Sequence, residues 1–325
     1  MISTTPVKQG LEAGWYLSAA FAAPRLELPG PSRLLPEERT LLDDISKFVT
    51  EGTLVLPPTP HTAMQALQAL KAADVDFAGV SVRISADPVL AALVLRQANS
   101  PLYAGRAGKS RSIQDALGRI GIRRMREVIL SAVLCRTAAG MKSRAWAEME
   151  STHAIVCAEL ARSLGARLGL DDEQCHTAGL LHDIGRLPLL KALEARGALP
   201  EQPCRDGAAE IIVECLHRVV GQRLAASWGL PESVADAAFH HMNGRRGDEP
   251  RTAEFLTTCV AEVSSDVCHA LGFGRFMRPF DVLASAALVL PGVDRGHVVR
   301  WLEEDVPALM AAGAGSAQSL HFLRV

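Results

Sequence analysis

Along most of the chain, apolar residues recur at spacings of three and four, the period at which one face of an α-helix turns repeatedly toward a core. Several of these stretches have ends marked by local chemistry. Asp87 stands just before Pro88, so a carboxylate can take the first N–H groups of a helix while proline fills a position where its missing N–H costs nothing. The spacing predicts a helix from there through Leu90, Leu93, Val94 and Gln97 to Asn99. A second is predicted from Ser112, with Ile113, Ala116, Leu117 and Ile120 on one face, broken at Gly121 and followed by a third over residues 123–134. The next, residues 152–168, closes at Gly169 with Leu170 placed for the apolar contact of a glycine cap. Asp171 and Gln174 have capping-box spacing and open a helix predicted to end at Gly185. Residues 211–227, a helix from Pro231 to near Asn243-Gly244, and residues 252–271 and 294–310 complete the pattern. No segment reads as a strand and no internal repeat emerges.

Composition agrees with this. The chain has 325 residues, 48% hydrophobic and 22% charged, with mean hydropathy +0.13, which excludes a disordered or collagen-like chain and is long enough for about two structural units. Its 49 alanines against 15 aromatic residues favour helix over sheet. A net charge of -2 removes any argument from global charge for nucleic acid or an anionic membrane. Seven cysteines without a C-x-x-C pair read as reduced core thiols in the cytoplasm. The short apolar stretch Trp15 to Ala23 has only Lys8 as a basic residue before it and Glu12 beside it, so a cleaved signal is not expected, and no uncharged run reaches the ~20 residues of a membrane span. Residues 1–45, with five prolines, read as an arm.

The histidines sharpen the picture because their helical phases can be checked. His153 shares a face with Val156, Leu160 and Leu164, and His217 with Val213, Val220, Gly221 and Leu224, so both point inward. His182 and Asp183 follow the apolar run Ala178 to Leu181. His240 and His241 end a helix, and since neighbours differ by about 100°, one of the two is expected to face the interior. Any one of these alone reads as an ordinary core histidine. As a set, imidazole nitrogens and a carboxylate on one bundle are natural ligands for a transition metal, and a metal so held acidifies water and offsets phosphate charge.

The string Leu181-His182-Asp183-Ile184-Gly185-Arg186, with His153 before it and His217 and His240-His241 after it, resembles the HD superfamily of metal-dependent phosphohydrolases. Leu56-Pro57-Pro58-Thr59-Pro60, Ile84-Ser85-Ala86-Asp87-Pro88, Ala98-Asn99-Ser100, Ile113-Gln114-Asp115-Ala116, Ile120-Gly121 and Trp228-Gly229-Leu230-Pro231 look like successive signatures of the HDOD domain, the HD-related output domain of bacterial signalling proteins. The likeness covers about residues 46–245. It implies an all-α fold with an N-terminal helical bundle packed on an HD-like bundle: an arm at 1–45, the N-terminal subdomain at 46–145, the HD-like subdomain at 146–275 and a helical extension at 276–325.

It also implies ligand roles for His153, His182 and Asp183 at a first divalent ion, and for His217 with His240 or His241 at a second, the metals being Fe, Mn, Zn or Ni. A late Asp normally closes an HD site. Counting back from Gly272-Phe273-Gly274 puts Ser265 there with Asp266 beside it, so the site is expected to be either complete through Asp266 or degenerate through Ser265. The Gly-Tyr-Pro motif of the HD-GYP cyclic-di-GMP phosphodiesterases is absent, the only tyrosines being Tyr16 and Tyr103.

Arg96, Arg106, Lys109, Arg111, Arg119, Arg123, Arg124 and Arg126 form a basic stretch opposed by Asp115 and Glu127. With only Tyr103 to stack on a base, a solvated helix face is favoured over a nucleic-acid surface. The expectation is a cytoplasmic, stand-alone bacterial regulator, since no receiver, GGDEF, EAL or DNA-binding pattern accompanies the domain. It would act through a signalling protein or a small nucleotide-like ligand, with a partly retained metal site. The alternative is a working phosphohydrolase on a nucleotide or other phosphoester.

Overall fold

The computed structural model describes residues 31–54, 61–72, 74–99, 109–203, 207–240, 252–273 and 294–310. Among them there is no strand, and no single helix is long and apolar enough to cross a membrane. The chain divides into two units, one holding Pro57–Gly140 and the other the residues up to Leu56 together with Met141–Leu309.

The larger unit opens with α1 (Pro36–Thr50), which begins inside the stretch expected to be an arm. Pro36 occupies the first helical position, and the Glu38 carboxylate accepts from Leu35 N at 2.7 Å. Ile45 and Val49 are buried, Arg223 donates to Val49 O, and the Arg196 guanidinium lies 4.9 Å from the Phe48 ring centre. This helix therefore packs with the later bundle. The unit boundaries fall at 56/57 and 140/141, where the sequence had suggested 45/46 and 145/146.

The rest of this unit comprises α7 (Arg144–Arg167), α8 (Asp172–Leu181), α9 (Arg186–Ala195), α10 (Ala208–Ser227), α11 (Glu232–His240), α12 (Ala253–Ala270) and α13 (Arg295–Arg300), the last running into a π-turn at Trp301–Asp305. The α7 helix starts eight residues ahead of the expected position. Its start is capped from a distance, for Lys142 N and Ser143 N both donate to the Glu194 carboxylate at 2.9 Å. The helix predicted to reach Gly185 stops at Leu181; a short turn at His182–Gly185 follows, and α9 starts anew with Pro188 in its first turn, where proline is tolerated. Ala178, Ala237 and Ala261, all fully buried, bring α8, α11 and α12 together, which is where the alanine-rich composition acts.

The smaller unit contains α2 (His61–Ala69), α3 (Phe77–Ser85), α4 (Pro88–Ala98), α5 (Ile113–Ile120) and α6 (Ile122–Ala139). Its helix ends follow the sequence closely. Asp87 accepts from Val89 N and Leu90 N at the start of α4, Ser112 from Asp115 N at the start of α5, and Gly121 separates α5 from α6 at φ +80, a conformation that side chains disfavour. The basic stretch is partly absorbed here. Arg126 donates to Leu70 O, Arg119 to Ala98 O at 3.4 Å, and Arg124 pairs with Glu127 at 3.2 Å, so three arginines bind helix ends and a carboxylate within the unit. Arg96 is half-buried, Lys109, Arg111 and Arg123 are exposed, and Arg106 lies outside the described residues.

Candidate metal centre

Helix α7 carries His153, the turn after α8 carries His182 and Asp183, and α10 carries His217. All four are buried, His153 and His217 as their helical phases required. They also meet. His153 Nε2 lies 3.3 Å from His182 Nε2 and 3.7 Å from Asp183 Oδ2, His182 Nε2 lies 3.5 Å from the same oxygen, and His217 Nε2 lies 3.5 Å from Asp183 Oδ1. Asp183 thus turns one oxygen toward the His153–His182 pair and the other toward His217.

The other ring nitrogens fix the tautomers. His182 Nδ1 is 2.8 Å from Gly179 O, His217 Nδ1 is 3.0 Å from Val213 O, and His153 Nδ1 is 3.2 Å from Phe273 O. A carbonyl only accepts, so each Nδ1 carries the proton and each Nε2 turns its lone pair inward. Burial, with His269 and His182 alongside, holds the His153 pKa well below the usual imidazole range, which keeps the ring neutral near pH 7.

This donor set fits a divalent transition metal. Ligand atoms held ~2.1 Å from a tetrahedral ion stand roughly 3.4 Å apart, and the triangle of His153, His182 and Asp183 has edges of 3.3, 3.7 and 3.5 Å. Backbone carbonyls on the far ring nitrogens supply the outer contacts that metal-binding histidines usually have.

Of the two neighbours Ser265 and Asp266, Ser265 faces His153. Its hydroxyl lies 3.3 Å from His153 Nε2, and the side chain is buried. Asp266 follows on α12, about 100° further round the helix, and is half-buried. His240 is half-buried with its ring edge-on to Phe239 at 4.8 Å, and His241 lies outside the described residues.

Two further residues stand at the centre: Cys157, not singled out by sequence, and His269, which with Cys268 reads in sequence only as a weak candidate pair for a metal. His269 is buried, its Nδ1 donates to Ser265 O at 2.7 Å, and its ring centre is 4.4 Å from that of His153. Cys157 Sγ lies 3.8 Å from His182 Nδ1, on the side of that ring away from Asp183. Burial pushes its thiol pKa well up, so it stays protonated. The i+4 relations of Cys157 to His153 and of His269 to Ser265 are the sequence signals that could have found them.

Beneath the centre lies a second layer. Arg186, wholly buried, donates through Nε to both oxygens of Glu150 at 3.0 Å, through Nη1 to Glu214 at 2.9 Å and through Nη2 to both oxygens of Glu210 at 2.8 Å. One guanidinium offsets one of three buried carboxylates. Burial and the repulsion among those left raise the pKa of Glu150 to about 7 and of Glu210 to about 8, while Arg186 stays charged.

Three comparisons place this arrangement among known proteins. Over 154 residues the chain is 29% identical to Ribonuclease Y of Thermus thermophilus, a match covering 46% of this chain and 22% of that protein. The curated relatives it matches are spanned for 22–30% of their own length. Among solved structures, a candidate signal transduction protein of Marinobacter aquaeolei VT8 superposes with TM-score 0.64 at 21% identity, over 90% of this chain and 67% of that one. A candidate metal-dependent phosphohydrolase of Shewanella amazonensis SB2B gives 0.57 at 20% identity, over 78% and 96%. At those identities the likeness is one of fold. The HDOD domain model itself matches residues 56–243, more than half of the chain, including His153, the His182-Asp183 pair and His217, and on that ground the chain belongs to the HDOD family.

Proposed function

We propose that this protein is a bacterial signalling regulator that acts by binding a partner protein or a small nucleotide-like ligand, and that its HD centre retains cation binding without efficient turnover. The observation that carries the reading is Ser265. Its hydroxyl lies 3.3 Å from His153 Nε2; the family resemblance implies a carboxylate at this late position, and a hydroxyl there would be a much weaker ligand for a hard or borderline cation. His153, His182 and Asp183 would hold one ion and His217 would face the far side of Asp183. The likeness in fold to a candidate signal transduction protein supports the regulatory part.

The second reading, a phosphohydrolase, is favoured by the inward-turned Nε2 lone pairs about a shared carboxylate. A divalent ion bound there would supply an acidified water and offset phosphate charge. The chain's own part would be to orient the imidazoles through Gly179 O, Val213 O and Phe273 O, and to keep His153 neutral by burial.

Metal analysis of the purified protein, with a phosphodiesterase screen of wild type beside His182→Ala and Asp183→Asn, separates the two. The regulatory reading expects bound divalent metal that both variants lose, and wild-type turnover no higher than theirs. Turnover in wild type that both substitutions abolish would overturn it in favour of the hydrolase.

A further inference from the structure

Three of the four members of the buried ionic layer stand three residues from a member of the His–Asp centre. Glu150 precedes His153 on α7, Arg186 follows Asp183, and Glu214 precedes His217 on α10, with Glu210 one turn further back. On α7 and α10 that spacing puts the two residues on the same helix face, one turn apart, and Arg186 opens α9 directly after the turn that carries Asp183. The Arg186 fork therefore ties together the three segments that deliver the ligands. Stability alone does not account for it, because buried ion clusters can often be replaced by apolar residues at no loss. What apolar packing lacks is direction. A guanidinium presents its donors in one plane at fixed angles, and all three nitrogens are engaged at 2.8–3.0 Å on three different carboxylates.

We propose that Arg186 is a positioning residue for the His–Asp centre: its three-way fork onto Glu150, Glu210 and Glu214 fixes the separation and rotation of α7, the His182–Asp183 turn and α10, so that the Nε2 atoms converge. The proposal rests on the reading of His153, His182 and Asp183 as a cation site. A lysine keeps the charge but has no planar fork, so it cannot hold three carboxylates in these directions.

The test uses the full chain and Mn²⁺ as the probe. Titration calorimetry measures affinity in wild type, Arg186→Lys and Leu164→Ala, the last opening a cavity on α7 about three turns beyond His153. Side-chain ¹⁵N spectra report the histidine tautomers of the same proteins without metal. Arg186→Lys is expected to weaken Mn²⁺ binding about tenfold or more, on the scale of lost outer contacts at metal sites, and to disturb the Nδ1–H tautomers of His153, His182 and His217. Leu164→Ala should lower the melting temperature yet leave affinity within about twofold. Unchanged affinity and tautomers in Arg186→Lys, or an equal loss in Leu164→Ala, overturns the proposal. Should wild type bind no Mn²⁺, the cation reading fails and the tautomers alone decide: disturbed signals in Arg186→Lys support positioning, unchanged signals refute it. Should Arg186→Lys not fold, Glu210→Ala, which removes one arm of the fork, gives the same reading, with an affinity loss of about threefold supporting the proposal and none overturning it.

Discussion

Gly185 sits where two segments of the centre touch backbone to backbone. A Cβ built on it would lie 2.0 Å from His217 O, 2.4 Å from Gly221 N and 2.9 Å from Gly221 Cα. Contacts under 3.0 Å are essentially never made by real Cβ atoms, and none of these neighbours is the end of a flexible side chain. In Gly185→Ala the turn after Asp183 and helix α10 must therefore part by about 1 Å. His217 rides on α10, so its Nε2, now 3.5 Å from Asp183 Oδ1, would move out to roughly 4.5 Å, beyond any hydrogen bond or shared ion. Overpacking of this kind costs about 1–3 kcal/mol, and backbone neighbours put the value at the upper end. For a unit of this size that lowers the melting temperature by roughly 6–12 °C. The assay is a thermal melt followed by circular dichroism at 222 nm, with Mn²⁺ titration on the folded variant. A Gly185→Ala protein melting within about 1 °C of wild type, with undiminished Mn²⁺ affinity, would refute the account of the close approach.

Other outcomes follow from the same geometry. Gly118, on the exposed face of α5 with nothing within 4 Å of a built Cβ, is the counterpart: Gly118→Ala should stabilise by up to about 1 kcal/mol, read as a raised melting temperature, because alanine loses less backbone entropy in a helix. Ser265→Asp should tighten Mn²⁺ or Zn²⁺ binding by roughly tenfold or more, since even a screened carboxylate–dication contact supplies a few kcal/mol; calorimetry showing equal or weaker binding would remove Ser265 from the centre. Without metal, stability should fall as pH rises from about 6.5 to 8.5. Glu150 and Glu210 titrate near 7 and 8 when folded and near 4.5 when unfolded, so their contribution is present below 4.5 and lost through the folded values, at up to about 1.4 kcal/mol per pH unit for each proton held. His153, depressed when folded, has finished its opposite contribution by its unfolded value. Urea melts across this window test the slope, and Glu210→Gln should flatten it.

Much of the helical scaffold was legible because it rests on local physics. Asp87, Ser112 and Asp171 cap N–H groups within three residues of themselves, Gly121 breaks a helix through its own φ, and a 3.6-residue period turned His153 and His217 inward before any partner was known. The His182-Asp183 pair, given by the motif, is brought together with those histidines in the folded unit. The early start of α7 was hidden, because its cap is Glu194, some fifty residues away. So was the break before α9, where an apparently continuous helix gives way to the turn that presents His182 and Asp183.

Other features depend on contacts between distant segments, which no local pattern encodes. The sequence left Ser265 and Asp266 side by side, and the rotation of α12 against α7 turned the serine toward His153. It showed eight basic residues as a cluster, and packing bound Arg119, Arg124 and Arg126 to helix ends and a carboxylate. The three glutamates that meet Arg186, 24 to 36 residues from it, look in sequence like ordinary surface charges, and nothing local joins them to the motif that ends in Arg186. Sequence by itself determined which residues were available and which helix face each occupied. Tertiary structure decided which faces met, because the distances, burial and excess charge that give the centre its chemistry arise only when segments remote in the chain exclude water together.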